Sequence, residues 1–146
     1  MAFSFFKKSD KPKKEETHSS GPKYYDLQVK NIVQETKDAI SIVFEHPSSG
    51  KINYKAGQFL TLIVNVNGKE VRRAYSLCSS PFVDQDLAVT VKRVENGLMS
   101  NWLGDNLKVG NTIKIMEPMG QFTTEYKADN KRHIILFAGG SGITPM

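Results

Sequence analysis

A short motif, Arg73-Ala74-Tyr75-Ser76, places a phosphate-binding side chain beside an aromatic one. Residues two apart along a β-strand point to the same face, so Arg73 and Tyr75 are predicted to share one face. The arginine guanidinium is a planar fork of donors that suits a phosphate. The tyrosine offers a ring for stacking and a hydroxyl for hydrogen bonding. The pair suits a ligand with a phosphate and an aromatic ring system, although an Arg and a Tyr on a solvent-exposed strand face are the commoner situation.

A second motif, Gly97-Leu98-Met99-Ser100, lies where the one good helical pattern of the chain begins. A helix N-terminus presents free N–H groups and a partial positive charge, which suit a pyrophosphate. The Ser100 hydroxyl is a further candidate donor. The simpler alternative is a glycine that permits the turn and a serine that caps the helix.

A third motif follows a continuous apolar run near the end of the sequence. His133–Ala138 predicts a strand that is buried on both faces of a parallel sheet. Gly140–Pro145 follows, and glycines in that place let the backbone approach the phosphates of a dinucleotide. Pro145 stands where the common G-x-G-x-x-G fingerprint has its third glycine, and it favours the first turn of a helix. This segment predicts the opening of an α/β nucleotide-binding domain, so we expect the chain to be part of a longer protein.

The elements that must position these motifs are mostly short strands. Strand patterns begin at Tyr24 and recur over Ala39–Glu45, Gln58–Val66, Lys69–Ser79, Leu87–Val94 and Thr112–Met116. Asn67-Gly68 is a strong hairpin signal, so the runs on either side of it are predicted to be antiparallel partners. The helical pattern covers Leu98–Leu107, with an apolar face formed by Leu98, Trp102, Leu103 and Leu107. Many short strands, turn signals and one helix indicate a mainly β fold, an antiparallel barrel.

Composition excludes several classes of protein. Of the 146 residues, 39% are hydrophobic and 24% are charged, which is an ordinary globular balance. Much of the net charge of +5 lies in residues 1–23, which hold six lysines and three acidic residues. Residues 1–22 carry few apolar side chains after Phe6 and are predicted to be a disordered basic tail. No apolar run is long enough to span a membrane, and we expect a cytoplasmic protein.

The chain has one cysteine, Cys78, which excludes an internal disulfide and a four-cysteine zinc or iron–sulfur site within these residues. We expect Cys78 to be a small buried side chain rather than a redox thiol. The three histidines are scattered along the sequence, so no metal site is predicted.

The order of the motifs from Tyr24 to Met146 is more specific than any motif alone. Arg-x-Tyr-Ser is followed by Val-Lys-Arg-Val, Gly-x-x-Ser-Asn-Trp-Leu, Glu-Pro-x-Gly-x-Phe and Gly-Gly-Ser-Gly-Ile-Thr-Pro. This combination resembles the ferredoxin–NADP reductase superfamily, in particular its oxygenase reductases and flavohaemoprotein reductases. The resemblance implies an FAD-binding six-stranded antiparallel Greek-key barrel with one short helix over residues 23–127. It also implies that residues 132–146 start an NAD(P)-binding domain, and in some members a plant-type 2Fe–2S domain is also present.

The resemblance assigns roles residue by residue. Arg73 would contact the FAD pyrophosphate, Tyr75 would pack on the isoalloxazine or bond the ribityl chain, and Ser76 would hydrogen-bond near flavin N5, the hydride acceptor. Tyr75 and Ser76 are thus the implied catalytic residues, with Ala74 in the same binding motif. The other implied cofactor contacts are Val91, Lys92 and Arg93 along the flavin, Gly97, Leu98, Met99 and Ser100 at the pyrophosphate, and Gly140 and Thr144 in the nicotinamide-nucleotide loop.

The implied function is electron transfer from NADH or NADPH through FAD to an iron–sulfur centre, haem or oxygenase, with a protein electron acceptor as partner. No nucleic acid or membrane partner is expected. The residues alone leave one alternative of another class, a small basic β-barrel that binds single-stranded nucleic acid. The near-neutral charge outside the tail argues against that alternative.

Overall fold

The structure is a computed structural model and describes residues 21–125 and 127–146. Most of the predicted tail, residues 1–20, lies outside this part of the chain. The described residues form six strands, one α-helix and one short 3₁₀ turn. The bounds are β1 Tyr24–Thr36, β2 Ala39–Phe44, β3 Phe59–Val66, β4 Lys69–Ser76, β5 Leu87–Lys92, α1 Leu98–Asn106, β6 Thr112–Met119 and the 3₁₀ turn Gly140–Ile143.

The six strands form one antiparallel sheet in the order β4-β3-β6-β1-β2-β5. The last strand of the chain order, β6, is inserted between β1 and β3, which makes the topology more than a simple meander. The two edges of the sheet, β4 and β5, meet just beyond the end of β4 at an isolated bridge between Leu77 and Val89. There the Cys78 N–H donates to the Ala88 carbonyl at 2.9 Å. The predicted mainly β, six-stranded antiparallel fold with one helix is confirmed, although the barrel is not closed along its length.

The β3–β4 hairpin forms where the sequence predicts it. Asn67 and Gly68 have φ angles of 52° and 78°, as a type I′ turn requires at both central positions. Val66 pairs with Lys69 across the turn, and the register then runs to Phe59 opposite Ser76. The turn therefore fixes which face of β4 each residue of the Arg73-Ala74-Tyr75-Ser76 motif occupies.

The core lies inside the curved sheet and is closed on one side by α1. Leu27 of β1, Leu60 and Leu62 of β3 and Ile115 of β6 are all completely buried. Alternation of side chains along each strand puts these residues on the inner face. Burying each such side chain contributes about 1.5–3 kcal/mol to the free energy of folding.

The buried face of α1 differs from the predicted one. Met99 and Leu103 are buried, whereas Leu98 is 49% exposed. Met99, Leu103 and Leu107 are spaced four residues apart, so they lie on one side of the helix. Leu98 precedes this stripe by one residue, and its side chain turns to solvent at the first position of the helix. The predicted inclusion of Leu98 in the apolar face was therefore wrong.

The apolar run His133–Ala138 forms no strand in the structure. Ile135 is 76% exposed and Phe137 is 88% exposed. A strand requires backbone hydrogen bonds to a neighbour, and none of the six described strands pairs with this run. The following glycine-rich motif is a single 3₁₀ turn, with Gly140 at a φ of 54°. The start of a nucleotide-binding domain in residues 132–146 stays a prediction. Among the described residues, no helix has the length and apolar character needed to cross a membrane.

Candidate functional site

Strand β4 presents Arg73 and Tyr75 on one face. Arg73 pairs with Leu62 and Tyr75 pairs with Leu60, and paired residues share a face of the sheet. Arg73 is exposed, and its Nη1 donates to the carbonyl of Arg72 at 2.7 Å. None of the ion pairs of the described residues includes Arg73. Its guanidinium therefore has positive charge and spare donors available to an anion.

Tyr75 lies half-buried beside this guanidinium and packs against the core. Burial raises the pKa of the Tyr75 phenol, and the positive charge of Arg73 offsets part of that rise. The phenol is therefore neutral at physiological pH, able to donate a hydrogen bond and to present an uncharged ring. The adjacent members of the motif are Ala74, which is exposed opposite Thr61, and Ser76, which is half-buried opposite Phe59 at the end of the strand.

The N-terminus of α1 offers backbone donors. Helix α1 packs against β3 and β4. Gly97 is its N-cap residue and makes no side-chain cap. The N–H groups of Leu98, Met99 and Ser100 have no acceptor within the helix, because the first intrahelical bond runs from the Asn101 N–H to the Gly97 carbonyl.

Ser100 is not the N-cap that one interpretation of the sequence suggested. It lies inside the first turn and is 7% exposed, and its Oγ accepts a hydrogen bond from the Val94 N–H at 3.1 Å. A role for Ser100 toward a phosphate would therefore use its backbone N–H. The Gly97 position also has a structural reason, since a Cβ there would lie 2.6 Å from Ser100 Oγ and 3.0 Å from the Val94 carbonyl oxygen.

The Val91-Lys92-Arg93 segment is placed differently from the other candidates. Val91 is 1% exposed, so its side chain belongs to the core and only its backbone is available to a ligand. Lys92 is exposed and lies 3.7 Å from Asp38. Arg93 is turned toward α1, where its Nη2 lies 2.7 Å from an Asp105 carboxylate oxygen. The side chains of this segment therefore do not converge with those of Arg73 and Tyr75.

The structure also contains a cavity of about 800 Å³ that the motifs did not reveal. It begins directly after Ser76 and lies between three segments, residues 77–82, residues 121–124 and residues 144–146. Thr144 lines this cavity, whereas Gly140 does not. Gly57 is the sequence signal for it. At a φ of +87°, a Cβ on Gly57 would lie 1.7 Å from the Phe122 carbonyl oxygen, so only glycine permits this approach of the two loops.

Hydrogen bonds order the side of this cavity next to β4. The Tyr54 hydroxyl lies 2.7 Å from Ser79 Oγ, which also accepts the Ala88 N–H at 3.0 Å. Burial raises the pKa of the Tyr54 phenol. Cys78 lies between these groups and is exposed, so the expectation of a buried side chain was wrong. Its backbone N–H is committed to the β4–β5 bridge, and the thiol accepts a hydrogen bond from Thr90 Oγ1 at 3.2 Å.

Comparison with known proteins decides the family. The model of the oxidoreductase FAD-binding domain family matches residues 26–124. The chain belongs to this family. The matched residues include β2 to β6, all but the first two residues of β1, helix α1, the Arg73 motif and most of the cavity wall.

Curated relatives are components of oxygenase systems. The ferredoxin reductase component of 3-ketosteroid-9-alpha-monooxygenase from Mycobacterium tuberculosis is 43% identical over 136 residues, which cover 86% of this chain and 37% of that protein. One of the subunits of the 1,2-phenylacetyl-CoA epoxidase of Escherichia coli is 34% identical over 125 residues, covering 84% of this chain and 35% of that protein. The chain thus spans little more than a third of the length of these relatives.

The fold is shared with solved structures of reductases. Phthalate dioxygenase reductase superimposes with a TM-score of 0.70 at 30% identity, covering 84% of this chain and 37% of that one. That protein is described as a modular structure for electron transfer from pyridine nucleotides to a 2Fe–2S centre. The predicted resemblance to FAD-binding oxygenase reductases is confirmed.

The residues present fit FAD. The exposed guanidinium of Arg73 and the free N–H groups of α1 are complementary to a pyrophosphate. The neutral, half-buried ring of Tyr75 on the same face as Arg73 is complementary to an aromatic ring system. Among the described residues there is no group of three His, Cys, Asp or Glu side chains that could hold a metal ion.

Proposed function

We propose that residues 24–125 hold FAD through Arg73, Tyr75 and the N-terminus of α1, as part of an NAD(P)H-dependent electron-transfer reductase. The observation that supports this most strongly is the unpaired guanidinium of Arg73 on the same face as Tyr75. An exposed arginine without a carboxylate partner keeps its charge-assisted donors available for an external anion such as a phosphate.

In this proposal FAD supplies the redox chemistry, accepting a hydride from a nicotinamide and releasing electrons singly. The protein binds and orients it. Arg73 neutralises pyrophosphate charge, and Tyr75 covers an apolar ring with its own neutral ring. Ser76 lies where β4 ends and the cavity begins, which suits a hydrogen bond to the reactive edge of the flavin. Thr144, which lines the same cavity, suits the place where nicotinamide and flavin would meet.

The electron donor and acceptor of the whole protein are also part of this proposal. We propose NADH or NADPH as donor and an oxygenase or its iron–sulfur protein as acceptor. The support is that the relatives described above are components of a monooxygenase and an epoxidase. Action in the cytoplasm and the absence of a membrane partner stay predictions of the same account.

Nucleic-acid binding is not supported as an alternative. The family and the relatives described above are oxidoreductases. Three of the exposed cations on the described strands and in the segment after β5 are also paired with carboxylates, as Lys30 is with Asp86, Arg72 with Glu70 and Arg93 with Asp105. A single-strand-binding face would instead present free cations with stacking aromatics.

The test is to mix the purified chain with FAD and to record flavin absorbance and fluorescence after gel filtration. The proposal expects FAD to co-elute with the protein with its fluorescence changed. A labelled single-stranded oligonucleotide at moderate salt serves as the comparison, and it should not co-elute. A chain that retains the oligonucleotide and no flavin would contradict the proposal.

A further inference from the structure

We propose that Arg93 is a positioning residue that, together with its neighbour Val94, fixes the direction of helix α1. Arg93 holds the C-terminal turn of the helix, and the Val94 backbone holds the N-terminal turn. The end of β5 thereby sets where the free N–H groups of α1 point. This inference rests on the proposed function, because those groups are the ones assigned to the FAD pyrophosphate.

The Arg93 side chain is packed onto the helix rather than extended into solvent. Its Nη2 lies 2.7 Å from Asp105 Oδ1. The guanidinium also lies against Gly104, since a Cβ on that residue would be 2.4 Å from Nη2 and 2.5 Å from Cζ of Arg93. The Arg93 N–H donates to the Asp38 carbonyl at 2.7 Å, which anchors its backbone to the turn between β1 and β2. The contact with α1 therefore starts from a fixed point in the sheet.

Val94 makes the second attachment through its backbone. Its N–H donates to Ser100 Oγ at 3.1 Å. Its carbonyl accepts the Gly97 N–H at 2.8 Å and the Asn101 Nδ2 at 3.1 Å. Three hydrogen bonds thus hold the first turn of α1 to the residue that follows Arg93.

Helix α1 needs such attachments because it has few stabilising interactions within itself. It contains nine residues, carries no side-chain cap and has no basic residue in its last turn. A helix of this length is marginal without tertiary contacts. Arg93, the residue after β5, supplies the cation that a helix C-terminus favours. One attachment would leave a rigid helix free to pivot, whereas attachments at both ends fix its direction.

The identities of Gly104 and Asp105 agree with this role. Glycine is among the weakest helix formers, so its presence inside α1 needs a reason. The approach of the Arg93 guanidinium supplies one, because with a Cβ at this position the guanidinium would have to move away from the helix. An aspartate in the last turn opposes the helix dipole, so Asp105 is favourable there through its pairing with Arg93.

The first test is a double-mutant cycle of Arg93→Ala and Asp105→Ala, read as the dissociation constant for FAD. If Arg93 acts through the helix, each variant weakens FAD binding about fivefold and the double variant is no weaker than either single one. Affinity for riboflavin, which has no phosphate, stays unchanged. If Arg93 contacts FAD directly, Arg93→Ala weakens binding, Asp105→Ala does not, and the proposal is overturned.

Gly104→Ala is a second test that does not depend on removing a charge. In the native background, the new methyl group displaces the guanidinium and weakens FAD binding by a similar factor. In the Arg93→Ala background, it has no further effect. Lys30→Ala is the matched control, because it removes another surface ion pair of 2.7 Å, with Asp86, far along the sequence from α1. Equal FAD affinity for Gly104→Ala and the native protein would overturn the proposal.

Amide hydrogen exchange of the FAD-free protein separates this inference from the proposed function. Arg93→Ala and Asp105→Ala should each speed exchange in α1 and leave β3 and β6 unchanged. If the native chain binds no FAD, the proposed function fails. The exchange data still test whether Arg93 and Asp105 hold helix α1 in place. Unchanged exchange in α1 for both variants would overturn the attachment itself.

Discussion

Arg72 and Arg73 are adjacent in the chain but lie on opposite faces of β4. Arg72 is paired with the carboxylate of Glu70 at 2.7 Å, whereas Arg73 has no carboxylate partner among the described residues. Hydrogen bonding to Glu70 raises the pKa of Arg72, so this guanidinium stays protonated. Its positive charge is already balanced by the Glu70 carboxylate. Two side chains of the same type are therefore placed differently, Arg72 on the outer face of the sheet and Arg73 on the face to which we assign the ligand.

This difference gives the first prediction. Arg73→Ala should weaken FAD binding about tenfold to a hundredfold, because a hydrogen bond to a charged group contributes about 1.5–3 kcal/mol. Arg72→Ala removes the same charge one residue away and should change FAD affinity less than twofold. Titration of each purified variant with FAD, followed by flavin fluorescence, measures both effects. Urea unfolding without flavin should give similar stabilities for the two variants, and equal losses of FAD affinity would disprove the role of Arg73.

Gly57 should be intolerant of substitution, and the effect of its contact with Phe122 can be separated from the effect of its positive φ. Gly57→Ala introduces a methyl group against the Phe122 carbonyl and strains a positive φ, so we expect a loss of about 2–4 kcal/mol in the free energy of unfolding. Gly50 also has a positive φ, +126°, but a Cβ there meets nothing within 4 Å. Gly50→Ala should therefore cost only the backbone strain, about 1 kcal/mol. Urea denaturation of both variants gives the difference, and equal losses would show that the contact with Phe122 is unimportant.

The buried phenol of Tyr75 should make the stability depend on pH in the alkaline range. Because burial raises its pKa in the folded state, the unfolded chain releases this proton first, near the ordinary value of 10.0. The contribution of Tyr75 is complete below pH 10 and is lost as the pH rises through the higher pKa of the folded state. As the pH rises above 10, the free energy of unfolding should therefore fall less for Tyr75→Phe than for the native protein. Parallel stability curves for the two proteins in urea titrations across that range would argue against a buried phenol.

Much of this architecture could be predicted from the sequence because it depends on local patterns. Alternation placed the strands within a few residues, and Asn67-Gly68 determined the β3–β4 register and with it the common face of Arg73 and Tyr75. The 800 Å³ cavity could not be predicted in the same way. It depends on loops far apart in the chain, and Gly57 in the sequence does not reveal that Phe122 is the residue it approaches.

The predictions that were wrong depend on tertiary contacts, which local sequence patterns do not show. Helical periodicity predicted the position of α1 but did not determine which of its sides faces the sheet. Leu98 was therefore assigned to the buried side, although it is exposed. Cys78 has a small apolar side chain, but it lies in an exposed segment that lines the cavity, just beyond the end of β4. The contacts of Arg93 with Gly104 and Asp105 also have no local signal, because the partners are more than ten residues apart in the chain.

The exposure of Cys78 leads to a chemical prediction. The native protein should react with one equivalent of a thiol reagent without denaturant, since Cys78 is the sole cysteine and is exposed. Saturating FAD should slow this reaction if the flavin ring reaches the cavity beyond Ser76. Spectrophotometric titration with a disulfide reagent measures both rates, with Cys78→Ser as the blank. A native protein that reacts only after unfolding would contradict the exposed placement of the thiol.

The central claim is that this domain recognises the phosphates of FAD as well as its ring. The most direct measurement is a side-by-side titration of the flavin-free chain with FAD and with riboflavin at one ionic strength. The ring contacts are common to both ligands, whereas Arg73 and the α1 N–H groups act only on the pyrophosphate. FAD should bind at least about a hundredfold more tightly than riboflavin, because several charge-assisted hydrogen bonds are added. Equal affinities for the two flavins, or no binding of either, would contradict it.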